Sequence, residues 1–145
     1  MNDLQQGLAV VTGAGSGLGR AMAIELVRRG MKVAGFGRRS EALQETTELA
    51  GPGFTPLRVD VSSTEEVRAA MGSLVQEGAP LTMLINNAAV YPRRDFLDET
   101  PQSFMRSIEI NLGGVVNCSY VALQHMIHSG RGRILNVSTY ADLAP

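Results

Sequence analysis

Three glycines near the N-terminus have a spacing that suits the binding of an anionic phosphate group. Gly13, Gly17 and Gly19 follow a short apolar run that ends at Val11, and a helical pattern begins directly after them. Glycine permits a sharp turn, a close approach of phosphate to the backbone, and tight packing of a helix on a strand. The N–H groups and dipole at the start of the helix attract an anion. Glycines also end strands and cap helices, so this turn alone leaves a structural role open.

Five short apolar runs alternate with longer amphipathic segments, a pattern typical of strands alternating with helices. The predicted strands span residues 8–12, 32–36, 54–59, 81–86 and 133–138. The predicted helices span residues 18–29, 40–50, 63–76, 100–110 and 113–129. This alternation implies right-handed crossovers and a parallel sheet covered on both faces. We therefore predict an α/β fold, a doubly wound parallel sheet of about five strands, with residues 1–145 forming one domain.

Small, polar or charged residues follow every predicted strand. In such sheets ligands bind beyond the carboxyl ends of the strands, near the point where the strand order reverses. The residues at these ends are 13–19, Gly37-Arg38-Arg39, Asp60-Val61, Asn86-Asn87-Ala88-Ala89 and Ser138-Thr139-Tyr140. We expect them to surround a nucleotide.

Five motifs occur in the order and spacing of a known family. They are TGAGSGLG at residues 12–19, Asp60-Val61, Asn86-Asn87-Ala88-Ala89, Ile110-Asn111-Leu112 and GRILNVST at residues 132–139. With them the chain resembles the N-terminal, cofactor-binding part of the short-chain dehydrogenase/reductase (SDR) family, whose nucleotide-binding domain is Rossmann-like. The resemblance implies that the cofactor-binding residues are Gly13, Gly15, Ser16, Gly17, Leu18, Gly19, Arg38, Arg39, Asp60, Val61, Asn87, Ala88 and Ala89. Within this set, Asp60 and Val61 match the pair that contacts adenine, and Ala89 replaces the family's usual glycine.

The resemblance also implies catalytic residues, but only part of the family's set is present. Asn111 stands where the family has its catalytic asparagine, and Thr139 stands where it has its catalytic serine. A threonine hydroxyl can donate to a carbonyl oxygen, but its branched Cβ restricts the side-chain rotamers. Ser138 could take the role only if the end of the strand twists. The family's tyrosine-x-x-x-lysine pair is absent, since Lys32 is the only lysine.

The missing pair bears on activity. Reduction of a ketone builds negative charge on oxygen, and a positioned acid must supply a proton. A tyrosine serves near neutral pH only when a neighbouring cation lowers its pKa. We therefore expect an oxidoreductase (EC 1.1.1.-) acting on a carbonyl or alcohol, truncated before this pair and inactive by itself. Two alternatives stay open: a non-catalytic dinucleotide-binding sensor or interaction module, and a half that another chain complements.

The residues after the second predicted strand bear on the choice of cofactor. NAD-selective members of the family carry an acidic residue there, whereas this chain has Gly37 followed by Arg38 and Arg39. A guanidinium group pairs with a 2′-phosphate through two hydrogen bonds. We therefore expect NADP, with NAD less favoured. The alternative is a solvated arginine pair that opens the next helix.

Composition excludes several classes of partner. A net charge of −1 provides no basic field for nucleic acid or for an anionic membrane surface. Cys118 is the single cysteine, which excludes an internal disulfide and predicts a buried, unreactive thiol. His125 and His128 have no acidic or cysteine neighbour, so we expect no metal site.

The apolar runs bear on location and assembly. No run has transmembrane length and the first residues do not read as a signal peptide, so we expect a cytoplasmic protein without a membrane partner. The predicted helix 113–129 carries more apolar side chains than one face of the sheet needs, which predicts a homo-oligomer. The partners we expect are a dinucleotide and, in a full-length form, a small carbonyl or alcohol substrate. The sequence does not identify that substrate.

Overall fold

A parallel sheet of five strands forms the centre of the computed structural model, which describes residues 7–91 and 95–139. The strands are β1 (Leu8–Thr12), β2 (Lys32–Gly37), β3 (Phe54–Arg58), β4 (Leu81–Asn86) and β5 (Arg133–Asn136). They lie in the order β3-β2-β1-β4-β5. The order reverses between β1 and β4, so a crevice opens beyond the carboxyl ends of these two strands.

Five α-helices connect and cover the strands. They are α1 (Gly17–Arg28), α2 (Ser40–Ala50), α3 (Thr64–Gln76), α4 (Pro101–Ile108) and α5 (Gly114–Ser129), with a 3-10 turn at Phe96–Asp98 before α4. Two of the helices begin at hydroxyl caps. Ser63 accepts a hydrogen bond from the Glu66 N–H, and Thr100 forms a capping box with Ser103. Such caps satisfy N–H groups that the first turn of a helix leaves without partners.

Two apolar layers hold the helices on the sheet. On one face Ala9 and Val11 of β1 pack in a cluster with Ala23 of α1 and Leu43 of α2. On the other face the alternate residues of β1 belong to a larger cluster, which includes side chains of α3 and α5. All five residues of β1 are buried, because a central parallel strand is covered on both faces.

The predicted fold class is confirmed, and the predicted elements agree with the observed ones to within two residues at nearly every end. The main difference is at predicted helix 100–110, where α4 ends at Ile108 and a π-helical turn, Glu109–Gly113, continues into α5. Such turns insert a residue into a helix and are frequent at functional sites. Tyr140, expected at the end of the fifth strand, lies outside the described residues.

The edge strand β5 is covered much less than the central strand β1. All four residues of β5 are exposed, and 52% of the surface of Leu135 is accessible. On α5, Val116, Tyr120 and Ile127 are also exposed. Every helix in ranges 7–91 and 95–139 is too short or too polar to cross a bilayer.

Candidate functional site

A cavity of about 380 Å³ opens beyond the carboxyl ends of β1 to β4. Cavities of about 300–1,000 Å³ are typical of small-molecule and cofactor sites. The lining residues are Gly13, Gly15, Ser16, Phe36, Gly37, Arg38, Arg39, Ala42, Val59, Asp60, Val61, Asn87, Ala88, Ala89, Val90 and Ile110. The site therefore lies at the topological switch point, where ligands bind in sheets of this kind.

The turn after β1 has a backbone shape that side chains do not tolerate. Gly13 has φ +68°, and a Cβ there would lie 2.9 Å from the Cα of Ala88. A Cβ on Gly19 would overlap the carbonyl oxygen of Gly13 and the amide nitrogen of Asn87. Ser16 is the N-cap of α1, but its side chain makes no capping hydrogen bond. The first turn of α1 therefore has backbone N–H groups that can donate hydrogen bonds to an anion.

Thr12 and Asn87 join the ends of β1 and β4. The buried Thr12 hydroxyl accepts from the N–H groups of Asn87 and Ala88, both at 2.9 Å. The side-chain amide of Asn87 donates in return to the Thr12 carbonyl at 3.0 Å. These bonds satisfy polar groups that would otherwise be buried without partners, and they fix two walls of the cavity relative to each other.

Two arginines lie at the mouth of the cavity, between β2 and α2. Arg38 and Arg39 are exposed, and neither forms an ion pair with any acidic side chain in the described ranges. Gly37 precedes them and also lines the cavity, so no carboxylate stands at the end of β2. The result is a positively charged rim that an anionic group can approach.

Asp60 also lines the cavity, after the neighbouring strand β3, where the chain leads toward α3. Its Oδ1 accepts from the Ser62 N–H at 3.0 Å and the Ser62 hydroxyl at 2.6 Å, and its Oδ2 accepts from the Arg106 guanidinium at 2.7 Å. Partial burial raises the pKa of Asp60, but these hydrogen bonds and the charge of Arg106 outweigh it and hold the pKa below its usual value. Asp60 is therefore an oriented, ionised acceptor beside the cavity.

Asn117 of α5 holds the residue after Asp60. Its side-chain amide donates to the Val61 carbonyl at 3.0 Å, and its side-chain oxygen accepts from the Thr64 hydroxyl at 2.8 Å. Gly114 packs directly on Val61: a Cβ on Gly114 would lie only 2.6 Å from a Val61 methyl group. Helices α4 and α5 therefore position both residues of the Asp60-Val61 pair.

Asn111, which lies in the π-helical turn, is bound to the segment after β4. Its side-chain oxygen accepts from the Val90 N–H at 2.7 Å and its amide donates to the Val90 carbonyl at 2.8 Å. The amide thus pairs with Val90 as a neighbouring strand would. Asn111 does not line the cavity itself, although Val90 and Ile110 do.

Ser138 and Thr139, which follow β5, are exposed and do not line the cavity. Neither side chain forms a hydrogen bond with another residue of the described part of the chain. The strand before them is anchored through Asn136, whose side-chain oxygen accepts from buried Asn86 at 2.8 Å. Asn86 also contacts the Ser119 hydroxyl, so its side chain joins β4, β5 and α5 rather than facing the cavity.

The cavity brings together most of the residues predicted to bind the cofactor. The predicted residues that line it are Gly13, Gly15, Ser16, Arg38, Arg39, Asp60, Val61, Asn87, Ala88 and Ala89. Gly17, Leu18 and Gly19 lie in the first turn of α1 and do not line it.

Some residues of the site were not predicted. Three lining residues that were not predicted, Phe36, Val59 and Val90, lie within one residue of a predicted strand-end segment and could have been found by extending it. Two others, Ala42 of α2 and Ile110 of the π-helical turn, lie in helical segments, where no strand end indicates them. The sequence reasoning also missed Arg106 and Asn117, whose polar side chains within helical segments gave no signal of what they bind.

The remaining candidate groups are away from the cavity. Cys118 is buried, and burial raises the pKa of its thiol to about 12, as expected for an unreactive cysteine. In residues 7–91 and 95–139, no three histidine, cysteine, aspartate or glutamate side chains converge as metal ligands.

Comparison with known proteins assigns the chain to a family. The sequence model described as short chain dehydrogenase matches residues 7–145. D-erythrulose reductase from Gallus gallus is 36% identical over 135 residues, covering 92% of this chain and 53% of the relative. L-xylulose reductase from Homo sapiens is 36% identical over 131 residues, covering 90% and 52%. Carbonyl reductase [NADPH] 2 from Sus scrofa is 36% identical over 143 residues, covering 94% and 57%. The chain thus spans about half the length of these curated relatives, and it belongs to the short-chain dehydrogenase family.

Proposed function

We propose that this chain is the cofactor-binding part of an NADP(H)-dependent oxidoreductase that acts on a carbonyl or alcohol group. The observation that carries the proposal is the pair Arg38 and Arg39, which lines the cavity without an acidic partner in the described ranges. Because Gly37 precedes them, the site offers a cation where a 2′-phosphate would lie and no carboxylate to repel it. The name of the pig relative, carbonyl reductase [NADPH] 2, supports the same cofactor.

Several residues of the cavity and of the turn beside it support the binding of a dinucleotide. The uncapped N-terminus of α1 and the turn at Gly13 suit a pyrophosphate. Asp60 retains acceptor capacity for an adenine amino group, since three hydrogen bonds occupy only part of its two oxygens. The adjacent residue, Val61, would contact the same adenine base through its backbone. The bound nicotinamide would supply or accept the hydride.

The substrate side is proposed at the level of a chemical class. The relatives are named as reductases of D-erythrulose, of L-xylulose and of carbonyl compounds, which supports a carbonyl or alcohol substrate. We assign the hydroxyl of Thr139 or Ser138 to donate a hydrogen bond to the substrate oxygen, and Asn111 to hold the Val90 wall. The 145 residues contain no tyrosine-x-x-x-lysine pair, so we propose that turnover needs a proton donor beyond those identified here.

We also propose that the protein self-associates. Exposed apolar residues on α5 and β5 support this, among them Val116, Ile127 and Leu135. A contiguous apolar surface and an open strand edge favour contact with another copy.

Titration of the two cofactors tests the proposal. We expect the chain to bind NADPH more tightly than NADH in isothermal calorimetry. Arg38→Ala should weaken NADPH binding by about 1–3 kcal/mol, the scale of a charge-assisted hydrogen bond, and leave NADH binding nearly unchanged. Arg68→Ala, which removes the same charge from α3 outside the cavity, serves as the matched control. Equal losses for both cofactors in Arg38→Ala would contradict the assignment of the 2′-phosphate.

A further inference from the structure

A partly buried seam of hydrogen bonds joins α1 and α2 beside the cavity, and Arg20 is its centre. The Arg20 Nη2 donates to the carbonyl oxygens of Gly15 at 2.5 Å and Ala42 at 3.2 Å, and to the Glu45 carboxylate at 2.7 Å. Its Nε donates to the Thr46 hydroxyl at 3.0 Å. One guanidinium therefore contacts both the glycine-rich turn and the first two turns of α2.

Thr46 forms the second part of the seam. Its side chain is fully buried, and its hydroxyl oxygen lies 2.9 Å from the carbonyl oxygen of Ala14 and 3.1 Å from that of Ala42. The hydroxyl accepts from Arg20 and donates its one proton to either carbonyl. Thr46 thus makes a further link between the turn and α2.

The glycine-rich turn and α2 also pack closely at Gly15 and Ala42. A Cβ on Gly15 would lie 3.1 Å from the Cβ of Ala42, closer than most real contacts of this kind. Both residues also line the cavity, whereas Arg20 does not. Arg20 therefore acts on the cavity through the residues it holds.

Arg38 and Arg39 lie at the end of α2 that the seam fixes. Arg39 is the N-cap of α2, and Ala42, an acceptor of Arg20, lies in the first turn. A shift or tilt of this turn would move both rim arginines relative to Gly15 and Ser16. The Gly15 carbonyl also accepts from Arg20, which keeps that oxygen from facing an anion in the cavity.

We propose that Arg20 is a positioning residue for selectivity toward the 2′-phosphate: it fixes the first turn of α2, and with it Arg38 and Arg39, against the glycine-rich turn. The inference rests on the proposed binding of NADP(H). A merely structural Arg20 would support the stability of the fold and affect both cofactors alike. A positioning Arg20 would affect the cofactor with the 2′-phosphate more.

The test is the ratio of the Kd for NADH to the Kd for NADPH, measured by calorimetry on the full chain, with the melting temperature recorded for each variant. We expect Arg20→Met to lower this ratio by about five- to tenfold, the range of couplings within one hydrogen-bond network. Arg20→Lys keeps the charge but cannot reach Gly15 and Thr46 together, so the ratio should fall in it too, and it keeps the test open if Arg20→Met does not fold. In a background that carries Arg38→Ala and Arg39→Ala, Arg20→Lys should leave the ratio unchanged.

Arg28→Met is the matched control, because Arg28 lies on the same helix and pairs with Glu25 away from the cavity. Its ratio should equal that of the wild type. A wild-type ratio retained in both Arg20 variants would overturn this inference and leave the proposed cofactor standing. A wild-type chain that binds NADH and NADPH equally would overturn the proposed cofactor preference, and this inference with it.

Discussion

The two strands that flank β4 in the sheet, β1 and β5, are covered to opposite degrees. Every residue of β1 is buried, whereas every residue of β5 is exposed, although both strands pair in parallel with β4. Helices α1 and α2 cover one face of β1, and α3 and α5 cover the other. The described residues thus cover the centre of the sheet at β1 on both faces, while apolar surface on β5 is left uncovered by them.

The polar contacts differ in the same way. At the ends of β1, β3 and β4, side chains are held by bonds between elements, such as Thr12 with Asn87 and Asp60 with Arg106. Beyond β5, the side chains of Ser138 and Thr139 bond to no other residue within the described ranges. The side chains around the cavity are thus held by bonds between elements, whereas the two hydroxyls after β5 are not held by the described residues.

The largest expected effect, on both binding and stability, is at Gly19 of α1, the helix that packs on the buried strand β1. Gly19→Val should abolish cofactor binding and destabilise the fold, because its side chain would overlap the Gly13 carbonyl and push α1 away from β1. Thermal unfolding and calorimetry with NADPH measure the two effects.

Gly72→Val is the control for Gly19→Val. Gly72 is also helical, and a Cβ there meets nothing within 4 Å. The control should fold and bind as the wild type does. A Gly19→Val variant with wild-type affinity would show that close packing at this turn is not needed for the site.

The next-largest expected effect is on the free energy of unfolding, when a leucine is replaced by alanine on each of two neighbouring strands, β4 and β5. Leu84 of β4 is fully buried, while Leu135 of β5 is 52% exposed. Leu84→Ala should cost about 2–5 kcal/mol of unfolding free energy, because it removes core contacts and leaves a cavity. Leu135→Ala should cost less than about 1 kcal/mol. Urea unfolding of both variants gives the comparison, and equal losses would mean that another copy of the chain covers β5 in solution.

The sequence was sufficient to predict the fold, because its signals are local. The apolar run at β1 and the helical period of α2 define elements whose ends match the structure. The π-helical turn could not be predicted, since Glu109–Gly113 is helical like its flanks and its contact with Val90, through Asn111, joins residues that are distant in sequence.

The site was predicted where backbone and strand ends form it, and missed where helical side chains support it. Arg38 and Asp60 follow strands, so their place at the crevice follows from topology. Arg20 and Arg106 lie in helical segments without any local signal of their role. Their partners, Thr46 for Arg20 and Asp60 for Arg106, are distant in sequence. Pairings of this kind depend on the angle between elements, which a single sequence does not encode in any short pattern.

The smallest effect concerns the ion pair between Arg106 and Asp60, which joins α4 to the segment after β3. The pair is partly exposed, so Arg106→Met should lower the unfolding free energy near neutral pH by only about 0.2–1 kcal/mol. Because the folded-state pKa of Asp60 lies below its usual value, the pair stabilises the fold above the carboxyl's unfolded pKa, and this contribution is lost as the pH falls through the folded pKa. The difference in unfolding free energy between wild type and Arg106→Met should therefore shrink on acidification.

Carboxyl NMR titration should also show a higher Asp60 pKa in Arg106→Met, while Arg68→Met leaves the Asp60 pKa unchanged. A difference in unfolding free energy that persists at acid pH would assign the effect of Arg106 to its hydrogen bond with the Ser62 hydroxyl instead.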